Sequence, residues 1–418
     1  MSDLRDPPSS RGRVVRSLLL TAVIVLGAAT LRSLFLAVAP VAGEIGAELE
    51  ASAALVGLLT SIPVLCFAVF SPLAVALLRW GGSYFALTVT FVGAVIGCFI
   101  RVSGGIEAAL LGTAIIGMFL TVGNVVMPVI IGREYRAHRV HMMTGIYTSA
   151  LNVGTMTVTL ATAPLANAVG WRWAVTVWAV FPLAALACWV PLRGLRAAFL
   201  PTADPRPEGA RAGGSAWRNG PTLLLAAAFA GQAFAFYGIT AWLPSMLTDQ
   251  GYSGAVAGAI ASVFQVAGIA GSLMLPVLTI RSTLMIGVTS VAIGWLTVPL
   301  GFLFAPSAWL LWCSLGGLAQ GGGITIVFIM INMLAKDEHT KAGRSGTVQG
   351  VGYALAAAGP LALAALHEAT GAWSAALVAV LIAVLVFLGA GLLVAHQLQG
   401  GRGVSTPRAP CDRPEAGG

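Results

Sequence analysis

Residues 17–40 read SLLLTAVIVLGAATLRSLFLAVAP, an apolar run with one charged residue, Arg32, about two-thirds of the way along. About 20 apolar residues cross a bilayer as a helix, so the run predicts a membrane span with a cation inside it. On insertion scales such a charge costs roughly 2.5–3.5 kcal/mol, and it is kept where it has a partner or a purpose. The other basic residues lie in terminal segments, in connections or at the edges of apolar runs. The expectation is that the remaining spans wrap around Arg32 and form a polar path past it.

Composition agrees with that reading. The 418 residues are 58% hydrophobic and 9% charged, with a mean hydropathy of +0.90; a soluble chain carries about 25% charged residues. The net charge of +8 sits in short connections and at the termini, the pattern of a protein embedded in membrane lipid rather than one that binds nucleic acid. Cys66, Cys98, Cys188 and Cys313 fall inside apolar runs and Cys411 in the tail, without metal-ligand spacing, so they read as small packing residues. The polar, basic residues 1–16 precede an apolar run longer than the core of a signal peptide, which predicts a retained first span.

Twelve spans follow, near 17–40, 53–78, 84–102, 107–131, 142–166, 172–192, 221–247, 254–279, 283–304, 307–334, 345–366 and 374–398. They group as a cytoplasmic tail (1–16), a six-helix bundle (17–192), a Pro- and Gly-containing linker with five arginines (193–220), a second six-helix bundle (221–398) and a cytoplasmic tail (399–418). With the N-terminus inside, 20 basic residues fall on the cytoplasmic side and only Arg101 and Arg172 outside, which places both termini in the cytoplasm at the inner membrane. The halves repeat at one offset. Ser52 and Gly57 match Ser253 and Gly258, Thr144-Gly145 matches Ser345-Gly346, and Gly170 matches Gly371, each 201 positions apart. Two six-helix units related by an axis along the membrane normal describe the major facilitator architecture, which binds its solute between the halves. Glycine pairs such as Gly316-Gly317 serve close helix packing. No strand precedes a Gly-rich loop, so no nucleotide site is read and no cofactor is expected.

Arg32 is the first candidate ligand, a fixed charge offering donors to an anionic or strongly polar solute. The alternative is a structural arginine paired with a carbonyl or with Glu44. No Asp or Glu lies within any apolar run, and the histidines are peripheral; Glu134 with His138 or His141 reads as a solvated loop. The uncharged candidates are Asn124 in the fourth span, Tyr147 in the fifth, Gln232, Phe236, Tyr237 and Trp242 in the seventh, Gln265 in the eighth, Gln320 in the tenth and Tyr353 in the eleventh. A buried amide faces another helix or the cavity, because facing lipid is costly. Aligning Pro40 with Pro244 sets Phe236-Tyr237 opposite Arg32, an arrangement suited to a small planar polar solute. Trp171, Trp173, Trp309 and Trp373, near span ends, read as interfacial anchors.

The chain resembles the cyanate and 2-nitroimidazole transporter family of the major facilitator superfamily. The stretches that carry the resemblance include LRSLFLAVAP (31–40), LVGLLTSIPVLCF (55–67), VGNVVMPVIIGREY (122–135), HMMTGIYTSALNVG (141–154), FYGITAWLPSMLTDQGYS (236–253), FQVAGIAGSLMLPVL (264–278) and GLAQGGG (317–323). The resemblance implies secondary transport of a small polar solute, a cyanate-like anion or a planar heterocycle, by an architecture that usually works as one chain. Where the family pattern has proline after the arginine, this chain has Ser33. The alternative within transport is a proton-driven multidrug exporter. Against it, the loop Arg79-Trp80-Gly81-Gly82-Ser83-Tyr84 carries no acid and the fifth span lacks a Gly-Pro pair. A nitrate carrier would call for a second membrane arginine in the other half, and a membrane enzyme for paired acids, a metal cluster or a nucleophile at depth; the runs contain none of these.

Overall fold

The computed structural model describes residues 10–51, 53–202, 219–252, 254–334 and 338–400. Ser52, Ser253, Lys336, Arg206, Arg211, Arg218, Cys411 and the outer parts of both tails lie outside these. In the first half the helices are α1 (Ser10–Leu36), α2 (Ala42–Glu48), α3 (Ala53–Val69), α4 (Ser71–Val102), α5 (Ile106–Glu134), α6 (Ala137–Val169), α7 (Trp171–Thr176), α8 (Val180–Arg193) and α9 (Leu195–Phe199). The second half has α10 (Gly220–Asp249), α11 (Gly254–Arg281), α12 (Leu284–Phe304), α13 (Trp309–Met333), α14 (Glu338–Ala356), α15 (Ala358–Thr370) and α16 (Trp373–Gly400). Among the described residues ten stretches are long and apolar enough to span a membrane, with Leu55–Val69 a shorter one. The count rises to twelve crossings because α6, 33 residues long, adds one, and because Gly82, at φ 77°, reverses the chain inside α4, whose first turns continue α3 as another. Only glycine adopts that backbone without a Cβ penalty.

The halves meet at two crossings made from duplicated residues, both near the face where the chain begins. On α6, a Cβ at Gly145 would stand 2.5 Å from Pro276 Cγ and 2.6 Å from the Ser272 carbonyl oxygen of α11. On α14, a Cβ at Gly346 would stand 2.2 Å from Val75 Cγ2, and Ser71 Oγ donates to the Gly346 carbonyl at 3.2 Å. Gly145, Ser272 and Pro276 are each 201 positions from Gly346, Ser71 and Val75. One turn deeper the pattern recurs at the same offset: Thr148 bonds Thr325 at 2.5 Å, and Gln349 Nε2 donates to the Asn124 carbonyl at 2.8 Å. Toward the other face, α15 packs on α10, α14 and α16 of its own half.

Each half is also clasped at that other face. Trp171 Nε1 donates to Glu48 at 2.6 Å and Arg172 pairs with the same carboxylate, while Trp373 Nε1 donates to Asp249 at 2.7 Å. Trp171 and Trp373 are therefore anchored to protein carboxylates; Trp173 is 68% exposed. Two expectations need correcting. Glu134 is not part of a solvated loop, since Arg193 and the Tyr84 hydroxyl bind it at a half-buried site. Arg101 is not an outer loop residue, since it lies in the last turn of α4 and is 1% exposed.

The crossings predict a gate. Gly145→Ala or Gly346→Ala overpacks one crossing, at a cost of about 1–3 kcal/mol that falls on the closed arrangement. The closed population should drop roughly 5- to 150-fold. Spin labels at the exposed positions Arg136 and Arg281, in a background with its native cysteines replaced, should then move apart in pulsed electron-resonance distances.

Candidate functional site

Arg32 lies four residues before the end of α1, 8% exposed. Its guanidinium carbon stands 4.9 Å from the ring centre of Phe236 on α10. Among the described residues no carboxylate pairs with it and no acceptor oxygen bonds it. Glu44, the one nearby acid the sequence offered, is exposed. A cation over an aromatic face is attracted by the ring quadrupole, by about 2 kcal/mol when desolvated, and this leaves all five N–H donors free for a further partner.

Around the charge, α1, α10, α13 and α14 contribute Arg32, Phe229, Gln232, Phe236, Tyr237, Gln320 and Tyr353. The space they enclose is about 10 Å³, room for roughly one water, so the site is closed around the guanidinium. Aromatic rings form most of the wall: Phe229 meets Tyr353 edge to face at 5.1 Å, and Phe236 meets Tyr237 at 5.0 Å. Phe67 of α3, on the other half, reaches Tyr353 at 5.1 Å.

Gln232 is committed to the protein. Its Oε1 accepts from Trp295 Nε1 at 2.6 Å, and its Nε2 donates to the Gln320 carbonyl at 3.1 Å. Behind it, Gln320 Nε2 donates to Gln265 Oε1 at 3.5 Å. These bonds hold α10, α11, α12 and α13 in register.

Four sequence candidates lie off this cavity. Asn124 is buried on α5 and offers its carbonyl to Gln349. Tyr147 is fully buried on α6 against Phe328 at 5.6 Å, with its hydroxyl unpartnered. Gln265 stands behind Gln320. Trp242 is spent near the far end of α10, donating to the Pro360 carbonyl at 2.8 Å and packing on Trp373 at 5.7 Å. Sequence reasoning missed Phe229, Ala233, Ile324 and the supporting Trp295. Phe229 carried a signal, because it precedes Phe236 by seven residues, two helical turns on the same face.

The model of the Major Facilitator Superfamily matches residues 18–342. The chain is 33% identical over 378 residues to the 2-nitroimidazole transporter of Escherichia coli (strain K12), covering 90% of this chain and 93% of that one. It is 32% identical over 388 residues to the uncharacterized transporter YycB of Bacillus subtilis (strain 168), covering 92% and 94%. Among solved structures, the proton:xylose symporter XylE bound to 6-bromo-6-deoxy-D-glucose matches with a TM-score of 0.72 at 14% identity, covering 92% and 95%. A variant of the E. coli fucose:proton symporter FucP matches at 0.72 and 12% identity, covering 91% and 98%. The two structural likenesses show the fold.

The amide network generates a stability prediction. Gln232→Leu leaves the Trp295 N–H buried without a partner and removes the side-chain bond to the Gln320 carbonyl, so unfolding stability should fall by about 1–3 kcal/mol. Thermal denaturation of the detergent-solubilised protein measures it.

Proposed function

The chain belongs to the major facilitator superfamily, and from that premise we propose that it moves a small anionic or planar polar solute by alternating access, with Arg32 as the group that meets it. That the protein is a multi-pass membrane transporter of small solutes, and not an enzyme, follows from the family. One observation carries the finer reading: Arg32 is buried with no acceptor among the described residues and is faced by a ring instead of a carboxylate. The acceptor then comes from the solute. A planar anion can take two parallel N–H bonds from the guanidinium while its faces pack on Phe236, Tyr237 and Tyr353. The E. coli relative named for a planar nitroheterocycle supports the same shape.

Closure of the face where the chain begins, at Gly145 and Gly346, supports entry of the solute from the opposite face. A bound anion neutralises Arg32, which removes most of the penalty of enclosing the charge and lets the halves rock about the site. The excess of lysine and arginine on one side supports a cytoplasmic placement of both termini in the inner membrane. The architecture usually works as one chain, which supports a monomer as the working unit.

A thermal-shift series on the purified protein against cyanate, nitrate, small carboxylates and 2-nitroimidazole, with Arg32→Ala in parallel, tests this. A ligand that binds only the folded state stabilises it by about 2.7 kcal/mol at 100 times its Kd. An anion is expected to stabilise the parent and not Arg32→Ala. Equal responses in both proteins sink the reading, and stabilisation by apolar cations alone turns it toward a multidrug exporter.

A further inference from the structure

We infer that Arg101 is a positioning residue for Arg32, holding the last turn of α1 so that the Arg32 side chain is presented to the cavity; the inference rests on the proposed role of Arg32. The geometry begins at the end of α1. The Ala37 N–H still bonds the Ser33 carbonyl at 3.0 Å, but the Val38 N–H turns to the Phe35 carbonyl at 3.4 Å. The helical register would have given that N–H to Leu34, so the Leu34 carbonyl loses its donor within the membrane.

Arg101 supplies the replacement. Its Nη1 donates to the Leu34 carbonyl at 2.5 Å, and its Nη2 donates to the Val175 carbonyl at 3.2 Å. Val175 lies where α7 gives way to a 3₁₀ turn at Val177–Ala179. One planar fork thus ties the ends of two helices to α4. The anchor itself is fixed, because Gly112 of α5 lies so close that a Cβ there would stand 2.3 Å from the Arg101 amide nitrogen. Leu34 follows Arg32 by two residues, so rotation or fraying of this turn swings the long Arg32 side chain directly. A lysine places its donors on one nitrogen at the end of a flexible stem, so it lacks the rigid fork that reaches both carbonyls in fixed geometry.

Arg101→Lys and Arg101→Gln, each made with and without Arg32→Lys, which keeps a charge at position 32 and a measurable affinity, provide the test. The probe is cyanate, read as affinity from thermal-shift titration. With Arg32 present, both Arg101 variants should weaken cyanate binding about fivefold or more; in the Arg32→Lys background they should add less than about twofold, the signature of coupled residues. A second readout needs no ligand: with native cysteines replaced and Arg32→Cys installed, Arg101→Lys should change the rate of thiol labelling at position 32 about fivefold. Unchanged cyanate affinity in the Arg101 variants overturns the inference. So does equal weakening in both backgrounds, which is general destabilisation. If Arg32→Ala alone leaves cyanate affinity unchanged, the anion reading fails, and the labelling rate alone decides whether Arg101 places residue 32. Should Arg101→Gln not fold, Arg101→Lys serves in every arm.

Discussion

The energetics of this protein turn on one guanidinium that no acceptor among the described residues satisfies. Two unit charges 4 Å apart attract by about 4 kcal/mol at an effective dielectric of 20, so a single anion meeting Arg32 would outweigh any one amide or aromatic contact in the cavity. Phe236 holds the charge meanwhile through its ring face, which contributes some attraction yet fills none of the N–H donors. The surroundings are arranged to leave those donors unused. Gln232, the amide on the opposite helix that could have turned its oxygen to the charge, is held by Trp295 and the Gln320 carbonyl.

On the proposed alternating-access reading, the halves separate to expose that charge, and here duplication has a mechanical consequence. The crossings at Gly145 and Gly346 use counterpart residues on both sides of the pseudo-axis. Their close approach is short-range and steeply distance-dependent, so a small rotation loses both crossings together. Hydrogen bonds at the same offset, Thr148 to Thr325 and Gln349 to the Asn124 carbonyl, extend the matched pair inward toward the cavity. Closing one side of the protein is thus a single event enacted twice.

Much of this was readable in the chain, and the reasons are physical. Apolar length exposed the spans, although Gly82 had to be placed before α4 could be divided into two crossings. Arg32 stood out because a charge in an apolar run is rare, and the alignment of Pro40 with Pro244 set Phe236 opposite it. Contacts with backbone groups left no such trace. Arg101 looked like an outer residue because its partners are the Leu34 and Val175 carbonyls, which every sequence possesses and none advertises. Trp242 looked like a cavity aromatic because its bond to the Pro360 carbonyl is equally silent. Glu134 looked solvated because Arg193 and Tyr84 reach it from distant parts of the chain.

The two buried arginines of the first half show what decides whether a membrane cation is structural or available. Both are shielded from solvent, and neither pairs with a carboxylate among the described residues. Arg101 reaches a place where one helix has ended and another has changed pitch, so carbonyl oxygens without helical donors lie within its fork. Arg32 projects from inside α1, the freed Leu34 carbonyl two residues on is already taken by Arg101, and the wall opposite presents rings. The same chemical group becomes a brace in one position and a vacant donor set in the other. The distinction lies in which of the two holds the carbonyls that an interrupted helix leaves open.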